Sequence, residues 1–235
     1  MEAVRAMPSL ADVVFTEPSS AISDQTIDQS IVPKMSLCKA VAFAAGLGLA
    51  MLSHPVHAAP ASSGDTVQSL YDVLLSTMKD GRILGQSGRF MHLDPVIRRS
   101  FDIASMARLS VGPSWAGLTE AQRQEVTESF GRYTSALYAE RFDSYAGEQL
   151  KVTGEEASPA GTVILSQIVK SDGEPVNINY LMRQNGAGWQ IADVYLNGTI
   201  SELATRRSEF GSILRTQGIN GLIQALNSKA AALAS

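Results

Sequence analysis

Val176-Asn177-Ile178-Asn179-Tyr180-Leu181-Met182-Arg183 alternates apolar and polar side chains with a period of two. Val176, Ile178, Tyr180 and Met182 face one way, while Asn177, Asn179 and Arg183 face the other; Leu181 alone breaks the polar face. Such alternation marks a strand with one buried face. The same period runs on both sides of it, giving expected strands over 148–155, 162–170, 176–185 and 189–196. Their separators are Ser158-Pro159-Ala160-Gly161, Ser171-Asp172-Gly173-Glu174 and Asn185-Gly186-Ala187-Gly188, all rich in turn residues. Close spacing and short turns predict an antiparallel meander of about four strands. Asp193 should alternate away from its apolar neighbours Ala192 and Val194.

Outward from the sheet the period lengthens to that of a helix. Val67, Leu70, Tyr71, Leu74 and Met78 form an i, i+3, i+4 stripe that Asp80-Gly81 ends. A glycine-rich connection from Gly85 to Gly88 leads to Asp94-Pro95, an N-cap and N1 pair for a short helix. Asp102 can cap the next helix, through Ile103, Met106, Ala107 and Leu109, which Gly112-Pro113 stops. Thr119 and Gln122 make a capping-box signature at the head of the longest helical pattern, with Val126, Phe130, Tyr133, Leu137, Phe142 and Tyr145 on its apolar face and Gly147 expected to close it. After Asn197-Gly198 the helical period returns through Leu203, Phe210, Ile213 and Leu214. Gly218 ends that run, and a short closing helix follows through Leu222, Ile223 and Leu226. Helices, then strands, then helices define an α+β fold with segregated elements.

Near the start of the chain, Lys34-Met35-Ser36-Leu37-Cys38-Lys39 precede an apolar run from Ala40 to Leu52. A membrane span needs about 20 apolar residues, and this run is shorter. It has the plan of a secretory signal, with a basic region, an apolar region and a small-residue cleavage site at Val56-His57-Ala58. We therefore expect residues 1–34 to be an over-extended start or a disordered extension, 35–58 a cleaved signal peptide, and 59–235 one exported domain in the periplasm. Cys38, the only cysteine, precedes the apolar run, so it cannot serve as the lipidated cysteine of a lipoprotein signal.

The whole chain of 235 residues carries a net charge of −4. No basic surplus points to nucleic acid. Beyond residue 58 there is no cysteine and one histidine, His92, which nearly excludes a His/Cys metal site and leaves little for a histidine triad. Nucleotide-binding glycine patterns and a nucleophile elbow are both missing. Glu155-Glu156 are neighbours on a strand end and point to opposite faces, so they read as solvated. His92, amid Arg89, Asp94, Arg98 and Arg99, reads as a polar residue before a helix rather than an acid–base group. Arg98-Arg99 and Arg206-Arg207 can contact an anionic head group or a partner; paired basic residues on a helix are more often plain surface. We assign no catalytic residue, metal or cofactor.

Several short sequences, in order, carry a family likeness. Phe101-Asp102-x-x-x-Met106-Ala107, Gly112-x-x-Trp115 and Leu118-Thr119-x-x-Gln122 come first, then Phe130, Tyr133 and Tyr138. Trp189-x-Ile191-x-Asp193-Val194, Gly198, Arg207-Ser208-Glu209-Phe210 and Gly218-Ile219-Asn220-Gly221-Leu222-Ile223 complete the set. Together they resemble the MlaC-like family of periplasmic lipid carriers, also called the toluene-tolerance family, across nearly all of residues 59–235. Val111-Gly112-Pro113-Ser114-Trp115 and Tyr138-Ala139-x-Arg141-Phe142 are most similar to its hopanoid-associated HpnM branch. The chain departs from the usual Gly-Val-Ser after the last strand, having Gly198-Thr199-Ile200-Ser201.

The resemblance implies a curved antiparallel sheet of nuclear transport factor 2-like architecture, with helices enclosing an apolar cavity for lipid tails. It also implies a monomeric carrier of a phospholipid or hopanoid between outer and inner membranes. The expected partners are an inner-membrane transporter complex and an outer-membrane lipoprotein complex. The candidate lining is Met106, Leu109, Phe130, Tyr133, Leu137, Ile178, Tyr180, Met182, Ile191, Phe210 and Leu214, each of which also suits an ordinary core position. Two rival readings use the same plan. One is an isomerase or dehydratase with Asp193 or Tyr180 in the pocket; the other is a ligand-free structural partner of an envelope complex with a filled core.

Overall fold

The structure is a computed structural model that describes residues 62–234. The expectations for residues 1–34 and 35–58 lie outside the described residues. Helix α1 (Ser63–Lys79) starts at a capping box in which Ser62 accepts from the Asp65 amide at 3.1 Å and Asp65 accepts from the Ser62 amide at 2.8 Å. Its apolar stripe of Val67, Leu70, Tyr71, Leu74 and Met78 is buried against the sheet.

Helix α2 (Gly81–Ser100) overturns two local readings. The expected glycine-rich connection is instead a kink, with Gly85 at φ 61°, and Asp94-Pro95 lie inside the helix. Proline removes the bond to the carbonyl four residues earlier. That carbonyl belongs to Met91, an exposed residue. Asp94 does not cap. Its carboxylate accepts from Arg98 Nε at 2.9 Å and from the Ser135 hydroxyl at 2.7 Å. Arg98 in turn forks onto Glu128, at 2.9 and 2.7 Å, and ties α2 to helix α4 (Glu120–Arg141).

Helix α3 (Ile103–Val111) is capped by Asp102, as its sequence indicates, and a 3-10 turn over Gly112–Gly117 follows. The Thr119–Gln122 capping box opens α4. This helix is the hub of the helical layer, packed between α2 on one side and α5 (Glu202–Ala234) on the other. Its α2 side is made of small residues, Ser135, Ala136, Ala139 and Gly131. At Gly131 an added Cβ would lie 3.2 Å from both Arg98 and Ile103, a tight fit that would require these side chains to give way slightly.

The sheet has five antiparallel strands in sequential order: β1 (Gln149–Ser158), β2 (Gly161–Val169), β3 (Pro175–Asn185), β4 (Gly188–Leu196) and the two-residue β5 (Ile200–Ser201). The fifth strand, too short to leave a period in the sequence, extends the expected four. Val176, Ile178, Tyr180 and Met182 are all buried, as their alternation requires. The pairing of β3 with β4 shifts between Leu181↔Asp193 and Met182↔Ile191, which leaves Ala192 as an extra residue. That bulge breaks the period of β4, and Ile191, Ala192, Asp193 and Val194 are buried in succession. Asp193 alternates away from Val194 and pairs with Leu181, yet it is enclosed, because Ser201 and Leu203 fold over that face.

Under the sheet, Tyr71 and Ser166 form a buried polar chain. The Ser166 hydroxyl donates to the Ile178 carbonyl, so the Tyr71 hydroxyl, 2.6 Å away, must donate to Ser166. The Tyr71 ring also meets Tyr180 edge-on at 5.9 Å. Burial pushes the Tyr71 phenol up to about 12 from its ordinary value of 10.0, and pushes Tyr138 and Tyr180 up as well. A group whose folded value is raised keeps its full contribution below the unfolded value and loses it as pH climbs towards the folded one. Stability should accordingly hold to pH 10 and then fall, each tyrosine giving up about 1.4 kcal/mol per pH unit. Urea unfolding at a series of alkaline pH values, with tyrosinate absorbance recorded alongside, checks this. A stability curve flat through pH 12 would contradict the buried-phenol arrangement.

Candidate functional site

A void lies where α4, β4 and the first turns of α5 meet. Its walls are Phe101, Met106, Phe130, Tyr133, Thr134, Leu137, Tyr138, Val194 and Leu203, with Arg141, Glu202 and Arg206 at one side. Its volume is about 40 Å³. That is room for about one water, since a water occupies ~30 Å³ of liquid, and it is far below the ~300–1,000 Å³ of ordinary ligand pockets. The apolar cavity is thus present as a small, partly open space.

Of the candidate lining residues, the structure gathers Met106, Phe130, Tyr133 and Leu137 around this void. Phe210 sits directly behind it, its ring edge-on to Phe130 at 6.2 Å. Ile178, Tyr180, Met182 and Ile191 are fully buried in the core and do not touch it. Leu109 and Leu214, both half-buried, also lie outside the lining. Missed in the sequence were Phe101, Thr134, Tyr138, Arg141, Val194, Glu202 and Leu203. Phe101 and Tyr138 were quoted as family positions, but periodicity alone gives no sign that they border a space.

The four arginines divide sharply. Arg98 is engaged by Asp94 and Glu128 between helices. Arg99 is exposed and its carbonyl accepts from Gln190 at 3.0 Å. Arg207 is exposed, with its guanidinium over Gly112 at the end of α3. Arg206 alone reaches the void. Its side chain is 13% exposed and pairs with Glu202 at 3.3 Å and Glu209 at 3.0 Å, while the guanidinium carbon lies 5.3 Å from the Tyr133 ring centre. Burial works against its charge, yet Tyr133, Glu202 and Glu209 together hold it above its ordinary value. For Arg141 burial prevails and pushes the guanidinium down, with Glu202 opposing and Arg206 adding repulsion.

Asp193, the tempting acid of the enzyme reading, faces the start of α5 instead. Its carboxylate accepts from the Ser201 hydroxyl at 2.6 Å, the Leu203 amide at 3.0 Å and the Val194 amide at 2.8 Å. Ser201 in turn accepts from the Ala204 amide at 2.9 Å. These contacts satisfy donors that the first turn of any helix leaves open. Among the described residues no group of three or more His, Cys, Asp or Glu could hold a metal ion.

A helical layer folded over one face of an open antiparallel sheet, with a small apolar void between them, defines an α+β domain. A family model described as MlaC protein matches residues 68–228, and the chain belongs to that family. Among solved structures it is similar to a phospholipid-binding protein from Ralstonia solanacearum in complex with a phospholipid. The identity is 24% and the TM-score 0.64, over 75% of this chain and 100% of that one. That likeness establishes the α+β fold.

Proposed function

We propose that this protein is a periplasmic carrier that binds a phospholipid by its acyl chains and shuttles it between the outer and inner membranes. The observation that carries the reading is the apolar void under the start of α5, placed in a chain of the MlaC family. The phospholipid held by the Ralstonia solanacearum protein supports the cargo class. Each methylene moved out of water gains about 0.8 kcal/mol, so a two-chain lipid needs an apolar sheath to cross an aqueous space. The sheath must roughly match a bilayer without greatly exceeding it, or delivery fails. Nothing in the sequence hydrolyses a nucleotide, so direction comes from an inner-membrane transporter complex and an outer-membrane lipoprotein complex, or from a lipid gradient. A hopanoid cargo would follow the same logic, because its hydrocarbon body is equally excluded from water.

One observation favours a second reading. A void of about 40 Å³ is nearly a filled core, which suits a ligand-free structural partner. Native mass spectrometry separates the two after incubation with vesicles of phosphatidylethanolamine and phosphatidylglycerol. A carrier emerges with one two-chain lipid per chain. A protein that stays empty is the structural partner.

A further inference from the structure

The carrier reading leaves a physical problem, because the void as it stands admits no acyl chain. One wall must move, and the walls differ in how firmly they are held. Helix α5 is continuous in hydrogen-bonded length but broken at Gly218, whose φ of 67° and ψ of −168° are not helical. The break separates two unlike halves. After it, Leu222, Ile223, Leu226 and Ala230 are buried; between 202 and 217 only Phe210 is. Segments with few buried contacts open at lower free energy than the rest of a fold.

We propose that residues 204–217 form the portal of the lipid cavity, parting from α4 between the first turn that Asp193 holds and the break at Gly218. This rests on the carrier reading and says where cargo passes. The near anchor is the Asp193 carboxylate on Ser201 and Leu203. The far anchor is the buried second half of α5. Between them the seam with α4 is closed by Arg206 over the Tyr133 ring and Phe210 against Phe130. Cation–π and edge-on ring contacts are individually modest, so they close the seam without sealing it. Both α4 residues line the void, so parting this seam widens the cavity towards solvent.

Gly218 suits the break for a backbone reason. Its φ lies in the region that side chains disfavour, while an added Cβ would meet no atom within 4 Å. The conformation there, and not packing, calls for glycine.

Electron–electron distance measurements test the portal. Nitroxides are placed at Glu140→Cys and Ser208→Cys in a chain whose Cys38 is replaced by Ser, and a control pair uses Glu140→Cys with Gln224→Cys. All three labelled positions are exposed. Loading from phosphatidylethanolamine and phosphatidylglycerol vesicles is verified by lipid extraction. The portal requires the 140–208 distance to lengthen by about 4 Å, one layer of atomic contact, while 140–224 stays unchanged. Bound lipid with an unmoved 140–208 distance, or with only 140–224 moving, overturns the portal and leaves the carrier. Absence of bound lipid overturns the carrier reading and the portal with it.

Discussion

Replacing Leu137 by Trp should reduce bound lipid about tenfold or more, equivalent to ~1.4 kcal/mol of lost affinity, with little change in melting temperature. Leu137 is half-buried and borders the void with Leu203 and Arg206 of α5. An indole there grows into space that is already open and presses on the wall of α5 that is least firmly held. The fold can therefore accommodate it, while an acyl chain entering the same space cannot. Met182→Trp is the contrasting control. Met182 is fully buried on β3, paired across the sheet with Thr162 and Ile191, and away from the void. Overpacking at a filled site typically costs ~1–3 kcal/mol, so this variant should lose stability rather than cargo. Lipid extraction from both variants, with thermal unfolding measured in parallel, reads the two effects separately. Equal lipid content in folded Leu137→Trp would mean the acyl chain lies elsewhere.

The sequence made the layers legible because their signals are local. The capping box at Thr119, the Asp102 cap, the alternation of β3 and the turn glycines each act within a few residues. Gly161 shows how a local signal also carries long-range content. At φ 146° it turns β1 into β2, and an added Cβ would strike the Met182 carbonyl. Where the reading failed, a distant partner had decided the outcome. Asp94-Pro95 has cap chemistry, but Arg98 and Ser135 claim the carboxylate. Gly218, by contrast, is local again: its positive φ ends one helical stretch and a second follows, as the sequence indicates.

The site was less legible than the fold, and for a stated physical reason. An apolar side chain at a helical or strand period is buried whether its neighbour is another side chain or a space. Met106, Phe130, Tyr133 and Leu137 border the void, while Ile178, Tyr180, Met182 and Ile191 fill the core, and the two sets have the same sequence pattern. Only the crossing of α4 and α5 over β4 separates them. Arg206 could have been distinguished from Arg207 by its spacing from Glu202 and Glu209, at i−4 and i+3, which brings both carboxylates to its side of the helix.

Asp193 ties these strands of the argument together and carries the second large effect. Asp193→Ala should destabilise the protein by about 3 kcal/mol, because hydrogen bonds to a charged acceptor are worth ~1.5–3 kcal/mol each and their donors stay buried at the head of α5. Asp193 is 6% exposed and accepts from Ser201, Leu203 and Val194. Asp193 pairs with Leu181 on the face opposite Tyr180 and Val194, and β5 with the first turn of α5 covers it there. Asp193→Asn keeps one acceptor oxygen and should lose about half as much. The two variants also separate anchoring from charge. If Asp193 holds the near end of the portal, Asp193→Ala should release bound lipid to acceptor vesicles faster than the parent protein at a temperature where both are folded. Urea unfolding gives the stability change, and transfer of a fluorescent phospholipid gives the release rate. An alanine variant within ~0.5 kcal/mol of the parent, the ordinary range for a surface substitution, would show that the carboxylate does not anchor α5. A destabilised variant with an unchanged release rate would place the moving wall away from this end of the helix.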